Sequence, residues 1–136
     1  MSKVFLHLAG KPDRLLGHVN EDGRVTRSEP GPDDVIGRVN LETGKIYASK
    51  LGPDQYLGRV DLENGKVYRH VALASDEYLG RVAENGRMYR HVAAAADDYI
   101  GSLPESPTFA ASGAAFLLLV LPYLEMSSLH EVQGKL

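Results

Sequence analysis

The sequence has no cysteine and no tryptophan. The first absence excludes disulfides and thiolate metal centres and fits a reducing compartment. A basic excess is missing as well: the formal net charge is −3, so no global positive field marks a nucleic-acid partner. There is no Gly-rich phosphate loop leading into a helix, no serine in a nucleophile elbow and no helix-borne metal motif. A non-enzymatic protein without cofactor or metal is therefore expected. The opening segment, "MSKVFLHLAGKPDR", offers a lysine followed by only a few apolar residues. That is too short for a secretory core, which predicts a cytoplasmic protein. The 136 residues, 43% hydrophobic and 24% charged, suit one soluble domain with a real core.

What the sequence does have is a repeat. Aligned on Asp-x-x-x-Gly, five units carry Asp13/Gly17, Asp33/Gly37, Asp54/Gly58, Asp76/Gly80 and Asp97/Gly101, with glycines 20, 21, 22 and 21 residues apart. Two positions after each glycine stands Val19, Val39, Val60, Val82 or Leu103. Four units then place a second glycine, Gly23, Gly44, Gly65 or Gly86, before a basic residue and an alternating stretch such as "KVYRHV". Short, alternating, β-branched or aromatic halves around "EDG", "ETG" or "ENG" read as β-hairpins. Val-to-Tyr spacings of seven or eight residues suggest loops of about two and about three residues, with Val facing the second-strand Tyr.

The fifth unit lacks a second strand, because "SLPESP" interrupts it. The N-terminal stretch Lys3 to Asp13 has the same Lys-to-Asp spacing as Lys66 to Asp76, so the first strand of the protein supplies the missing piece. That closes a ring and removes two sheet edges. The expected fold is mainly β: a closed, pseudo-five-fold ring of ten short antiparallel strands over residues 1–103. One C-terminal apolar helix and tail, 104–136, belong to the same domain. Strict alternation puts Tyr56, Gly58, Val60, Tyr68 and His70 on the lumen face and Leu57, Arg59, Val67 and Arg69 outside.

From Ser106 to Leu124 there are 19 residues without charge. Ser106 and Pro107 suit an N-cap and first helical position. The segment is apolar all round, so it is no surface helix. It either fills the ring lumen or spans a bilayer, for which its length of about 28 Å just suffices against about 30 Å. The lumen is favoured, with the slim half Ala110 to Ala115 inside, the thick half Phe116 to Leu124 at or beyond the rim, and a kink at Pro122.

Two-stranded units around a pseudo-symmetric axis, closing across the termini and followed by an apolar helix, resemble the β-flower proteins. In outline they are also similar to the tubby C-terminal domain. The resemblance spans about Lys3 to Leu124 and implies a binding or membrane-associated role. No lipid-binding residue of those families can be carried over onto this sequence.

Candidate contacts to lipid or to another copy of the protein are Phe116, Leu117, Leu118, Leu119, Val120, Leu121, Tyr123 and Leu124 of the helix. Arg59 and Arg81 of a basic stripe that also holds Arg27, Arg38, Arg69 and Arg90 join them. The alternative for the stripe is cross-strand pairing with nearby carboxylates. The five repeated aspartates would cap turns or ring a cation. His7, His70 and His91, equivalent in three units, would converge on an ion only if they faced a narrow lumen. An open lumen would instead suit a carrier of lipid or a small ligand.

Overall fold

In the computed structural model, residues 2–28, 34–49 and 53–126 are described; Asp33 and the tail beyond Met126 lie outside them. Ten antiparallel strands form a closed barrel, ordered β1-β10-β9-β8-β7-β6-β5-β4-β3-β2. They are β1 Ser2–Leu6, β2 Arg14–Val19, β3 Arg24–Arg27, β4 Asp34–Val39, β5 Lys45–Ala48, β6 Gln55–Val60, β7 Lys66–Arg69, β8 Glu77–Val82, β9 Arg87–Arg90 and β10 Asp98–Ser102. The ring closes where the repeat demands: β1 pairs with β10 through Phe5↔Ser102 and Leu6↔Gly101, and with β2 on its other side.

The hairpin turns are one residue longer than the spacing suggested. Asn20 N–H donates to Arg24 O and Asn40 N–H to Lys45 O, leaving three and four loop residues respectively. First-strand valines consequently face the residue before the tyrosine: Val60↔Val67, Val39↔Ile46, Val82↔Met88. The turn glycines Gly44 and Gly65 adopt left-handed φ of 78° and 79°. Their carbonyls accept from Val60 and Val82 N–H of the next unit at 2.9 and 2.8 Å, so each turn also fastens one unit to its neighbour.

Each inter-unit strand pair carries a register shift just before its mid-strand glycine, as between Tyr56 and Gly58 opposite Ile46/Tyr47. The extra residue is Leu16, Ile36, Leu57, Leu79 or Ile100. A bulge puts two successive residues against one partner and breaks strict alternation. This corrects the assignment of faces. Gly58 and Val60 do point inward, but Leu57 turns toward the core while Tyr56, Tyr68 and His70 lie on the outer wall. Val67, expected outside, is fully buried. One inner layer is Val4, Val25, Ile46, Val67 and Met88, all at 0% exposure; Val19, Val39, Val60, Val82 and Leu103 lie beside it.

The helix runs from Phe109 to Met126 through this lumen: α1 Phe109–Ala115, a π-helical turn Phe116–Val120, then helix to Met126. It starts two residues later than the sequence suggested. Thr108, not Ser106, is the N-cap, its Oγ1 accepting from Ala111 N–H at 3.1 Å, and Pro107 instead packs near Gly86. Ten strands at about 4.8 Å spacing place the wall roughly 8 Å from the axis before tilt, whereas a helix with its side chains has a radius of about 5–6 Å. Space is short, and both wall and helix yield. Gly113 sits against Val60, where an added Cβ would come 2.6 Å from Val60 Cγ1.

The thick half is also inside, contrary to expectation: Phe116 to Leu121 are 0–7% exposed. Glycine in every first strand makes that fit. Phe116 faces Gly80, Leu117 Gly58, Leu118 Gly37, Leu119 Gly17 and Val120 Gly101. Five consecutive side chains thus address five consecutive units around the ring. An α-helix advances about 100° per residue, too far for units a fifth of a turn apart. The wider i→i+5 winding, closed by Leu121 N–H to Phe116 O, comes nearer the match. Pro122, which has no N–H to give, follows directly after that turn, and the helix continues past it.

Candidate functional site

The outer wall carries an aromatic belt that runs from Tyr47 to His7. Tyr47, Tyr56 and His70 lie ring to ring, with centroids 5.6 and 5.1 Å apart. Tyr68, Tyr78 and His91 repeat this one unit on, and Tyr89, Tyr99 and His7 repeat it again. At the head of each trio an arginine covers a tyrosine face: Arg38 over Tyr47, Arg59 over Tyr68 and Arg81 over Tyr89, 4.1–4.3 Å from the centroids. An aspartate joins one trio to the next. Asp76 accepts from Arg59 Nε at 3.2 Å and has His70 Nδ1 at 3.6 Å; Asp97 does the same with Arg81 and His91. The bulge that sends Tyr56 outward is what allows this stacking.

Arg59 and Arg81, candidates for headgroup contact, are therefore spent on Asp76, Asp97 and the tyrosine faces. Arg38 does likewise with Asp54 at 2.8 Å, which is the cross-strand alternative read from the sequence. Asp54, Asp76 and Asp97 receive side chains here, where turn capping had been expected. His7, His70 and His91 face outward and do not converge. Among the described residues no group of three His, Asp or Glu could hold a metal ion. Burial raises the Tyr56 and Tyr78 phenols above their ordinary range; Asp76 and Asp97 add to this, and Arg59 and Arg81 oppose it.

The belt breaks in units one and two. Where other units place tyrosine, β2 and β4 have Leu15 and Val35, 39% and 46% exposed. Both lie toward the rim formed by the inter-unit loops, where the helix emerges. Arg14 Nη1 donates to Tyr123 Oη at 2.7 Å, and Arg69 pairs with Glu125 at 2.7 Å, tying the helix end to the wall. Shallow grooves of about 370, 440 and 220 Å³ surround Pro122, floored by Leu16, Leu57, Leu117, Leu118 and Leu119. Tyr123 and Leu124 are partly covered and Met126 is exposed. Of the eight helix residues proposed as contacts, Tyr123 and Leu124 are partly exposed at this rim, Leu117, Leu118 and Leu119 form the floor of its grooves, and Phe116, Val120 and Leu121 are buried in the barrel.

One rim residue was invisible to the repeat. Leu73, at the tip of the loop from Val71 to Ser75, is wholly exposed and has φ of 61°. Gly10 and Ala94, its equivalents in adjoining loops, share that left-handed conformation. The signal in the sequence is an apolar residue where turn chemistry calls for glycine.

No family model, curated protein or solved structure matches this sequence.

Proposed function

We propose that this protein is a non-enzymatic β-barrel binding module that docks on a lipid surface through its loop rim. The observation that carries the reading is Leu73. A leucine in left-handed backbone costs about 1–2 kcal/mol, and here its side chain meets only solvent. Backbone outliers of this kind cluster at ligand clamps and switch regions. Of the two non-glycine examples among the described residues, Leu73 and Ala94, Leu73 is the one that also presents a large apolar side chain to solvent. Its own loop, Val71 to Ser75, and the neighbouring loop Val92 to Ala96 contain no charge, which suits shallow insertion between headgroups. The likeness in outline to β-flower and tubby-like barrels points the same way. The non-enzymatic part rests on the belt, whose polar groups are engaged with one another, and on five near-equal units that frame no single reactive pocket.

The helix, although long and apolar enough to cross a membrane, has 67% of its length buried within the protein, which favours peripheral attachment. The alternative, a carrier using the lumen, requires space that helix side chains occupy. Sedimentation with lipid vesicles tests the reading: the parent protein co-sediments and Leu73→Asp does not. Equal sedimentation of both, or none of either, overturns it. A concentration-dependent dimer lost in Leu73→Asp, with no vesicle binding, would reassign the same rim to a second copy of the protein.

A further inference from the structure

Two of the four hairpin turns contain an asparagine followed by glycine, Asn64-Gly65 and Asn85-Gly86, at the rim opposite the loops. From their geometry we infer that these asparagines are sites of spontaneous covalent modification, converting to aspartate without disturbing the fold. The backbone nitrogen of the glycine loses its proton and attacks Asn Cγ. A new C–N bond forms, the bond from Cγ to the amide nitrogen Nδ2 breaks, and ammonia leaves. Water then opens the cyclic imide at one of its two carbonyls, giving aspartate or its backbone-extended isomer.

The structure separates these two sites from the other asparagines. Asn64 and Asn85 are exposed at loop tips, and the following glycine has no side chain to block approach to Cγ. Asn20 and Asn40 precede Glu21 and Leu41, and Asn40 Oδ1 is held by two N–H groups, of Glu42 at 2.9 Å and Thr43 at 3.2 Å. Gly65 N–H donates to Asp61 O at 2.8 Å and Gly86 N–H to Ala83 O at 2.9 Å. Both glycines are buried beneath the exposed asparagines, so attack awaits local opening of the turn.

Unit one shows that the acid is accepted. Asp22 occupies the equivalent place, and its Oδ1 accepts from Arg24 N–H at 3.0 Å. Asn64 Oδ1 accepts from Lys66 N–H at 2.9 Å and Asn85 Oδ1 from Arg87 N–H at 3.1 Å. Among the described residues, each turn bonds through the oxygen that an amide and a carboxylate share. The basic residue that follows stands ready to face the new charge. The extended isomer is different. It lengthens the backbone just before Gly65, whose carbonyl receives Val82 N–H at 2.8 Å, and so loosens the joint between units.

Incubation of the full-length protein at mildly alkaline pH, followed by peptide mapping, tests this. The peptides holding Asn64 and Asn85 gain the mass of an amide-to-acid exchange severalfold faster than those holding Asn20 and Asn40. N64D and N85D keep the parent's thermal midpoint, and the fraction bearing the extended isomer melts earlier. Equal conversion at Asn20 or Asn40 overturns the inference. So does persistence of both amides in the folded protein while an unfolded control converts.

Discussion

Leu118 lies so close to Gly37 that a Cβ on the glycine would stand 2.8 Å from Leu118 Cδ1. The same relation recurs for four further pairs, each joining one unit of the ring to one residue of the π-helical turn. The fold is therefore a fit between two periodicities, a ring with a glycine every 20 to 22 residues and five bulky residues in a row.

Gly113 is the sharpest case in the slim half of the helix. Replacing glycine by alanine inside an exposed helix adds about 1 kcal/mol of stability. In Gly113→Ala the new methyl group meets Val60, and the cost of overpacking is about 1–3 kcal/mol. Chemical denaturation of this variant is expected to show a lower midpoint than the parent. A raised midpoint would place this face of the helix in open space.

Ser112 is fully buried, and its Oγ finds no partner among the described residues. An unsatisfied buried hydroxyl costs about 1–3 kcal/mol, and alanine is the better helix former. Ser112→Ala is expected to stabilise the protein by about 1–2 kcal/mol, read as an increase in thermal midpoint.

The backbone at Leu73 gives a prediction separate from its role in docking. Leu73→Gly relieves the left-handed penalty, while glycine's freedom in the unfolded state takes some of that gain back. The net change is an increase of about 0.5–1 kcal/mol, measurable by urea denaturation. A loss of stability would mean that the leucine side chain supports the fold.

The belt gives an alkaline signature. Tyr56 and Tyr78 hold their protons more tightly when folded. Their contribution to stability is whole below the unfolded value near pH 10 and is lost as pH rises through the raised folded value. Stability should fall above about pH 10, and Tyr56→Phe with Tyr78→Phe should make that fall shallower. Denaturation midpoints across the alkaline range check the difference in slope.

Much of this architecture can be read in the residues, and the parts that cannot have identifiable causes. Spacing alone closes the ring, since Lys3 to Asp13 repeats Lys66 to Asp76. Spacing does not reveal a bulge, however, and the extra residue at Leu57 reverses the face of Tyr56. One more residue in each turn does the same for Val67 and Tyr68. Five glycines and the run Phe116 to Val120 are both plain in the sequence, but their pairing depends on an i→i+5 turn that no local pattern announces. Leu73 aligns with Gly10 and Ala94, which marks a turn, but the alignment does not tell that the leucine side chain is left wholly in solvent.

Everything else depends on the helix filling the ring. Because the protein has no cysteine, single thiols can report on this directly. Ala114 is fully buried and Met126 is 73% exposed. Labelling Ala114→Cys and Met126→Cys separately in buffer should give immediate reaction at position 126, and reaction at 114 only at the rate of unfolding. Labelling of both at the same rate, in protein that keeps its β-sheet signal, would put the helix outside the barrel.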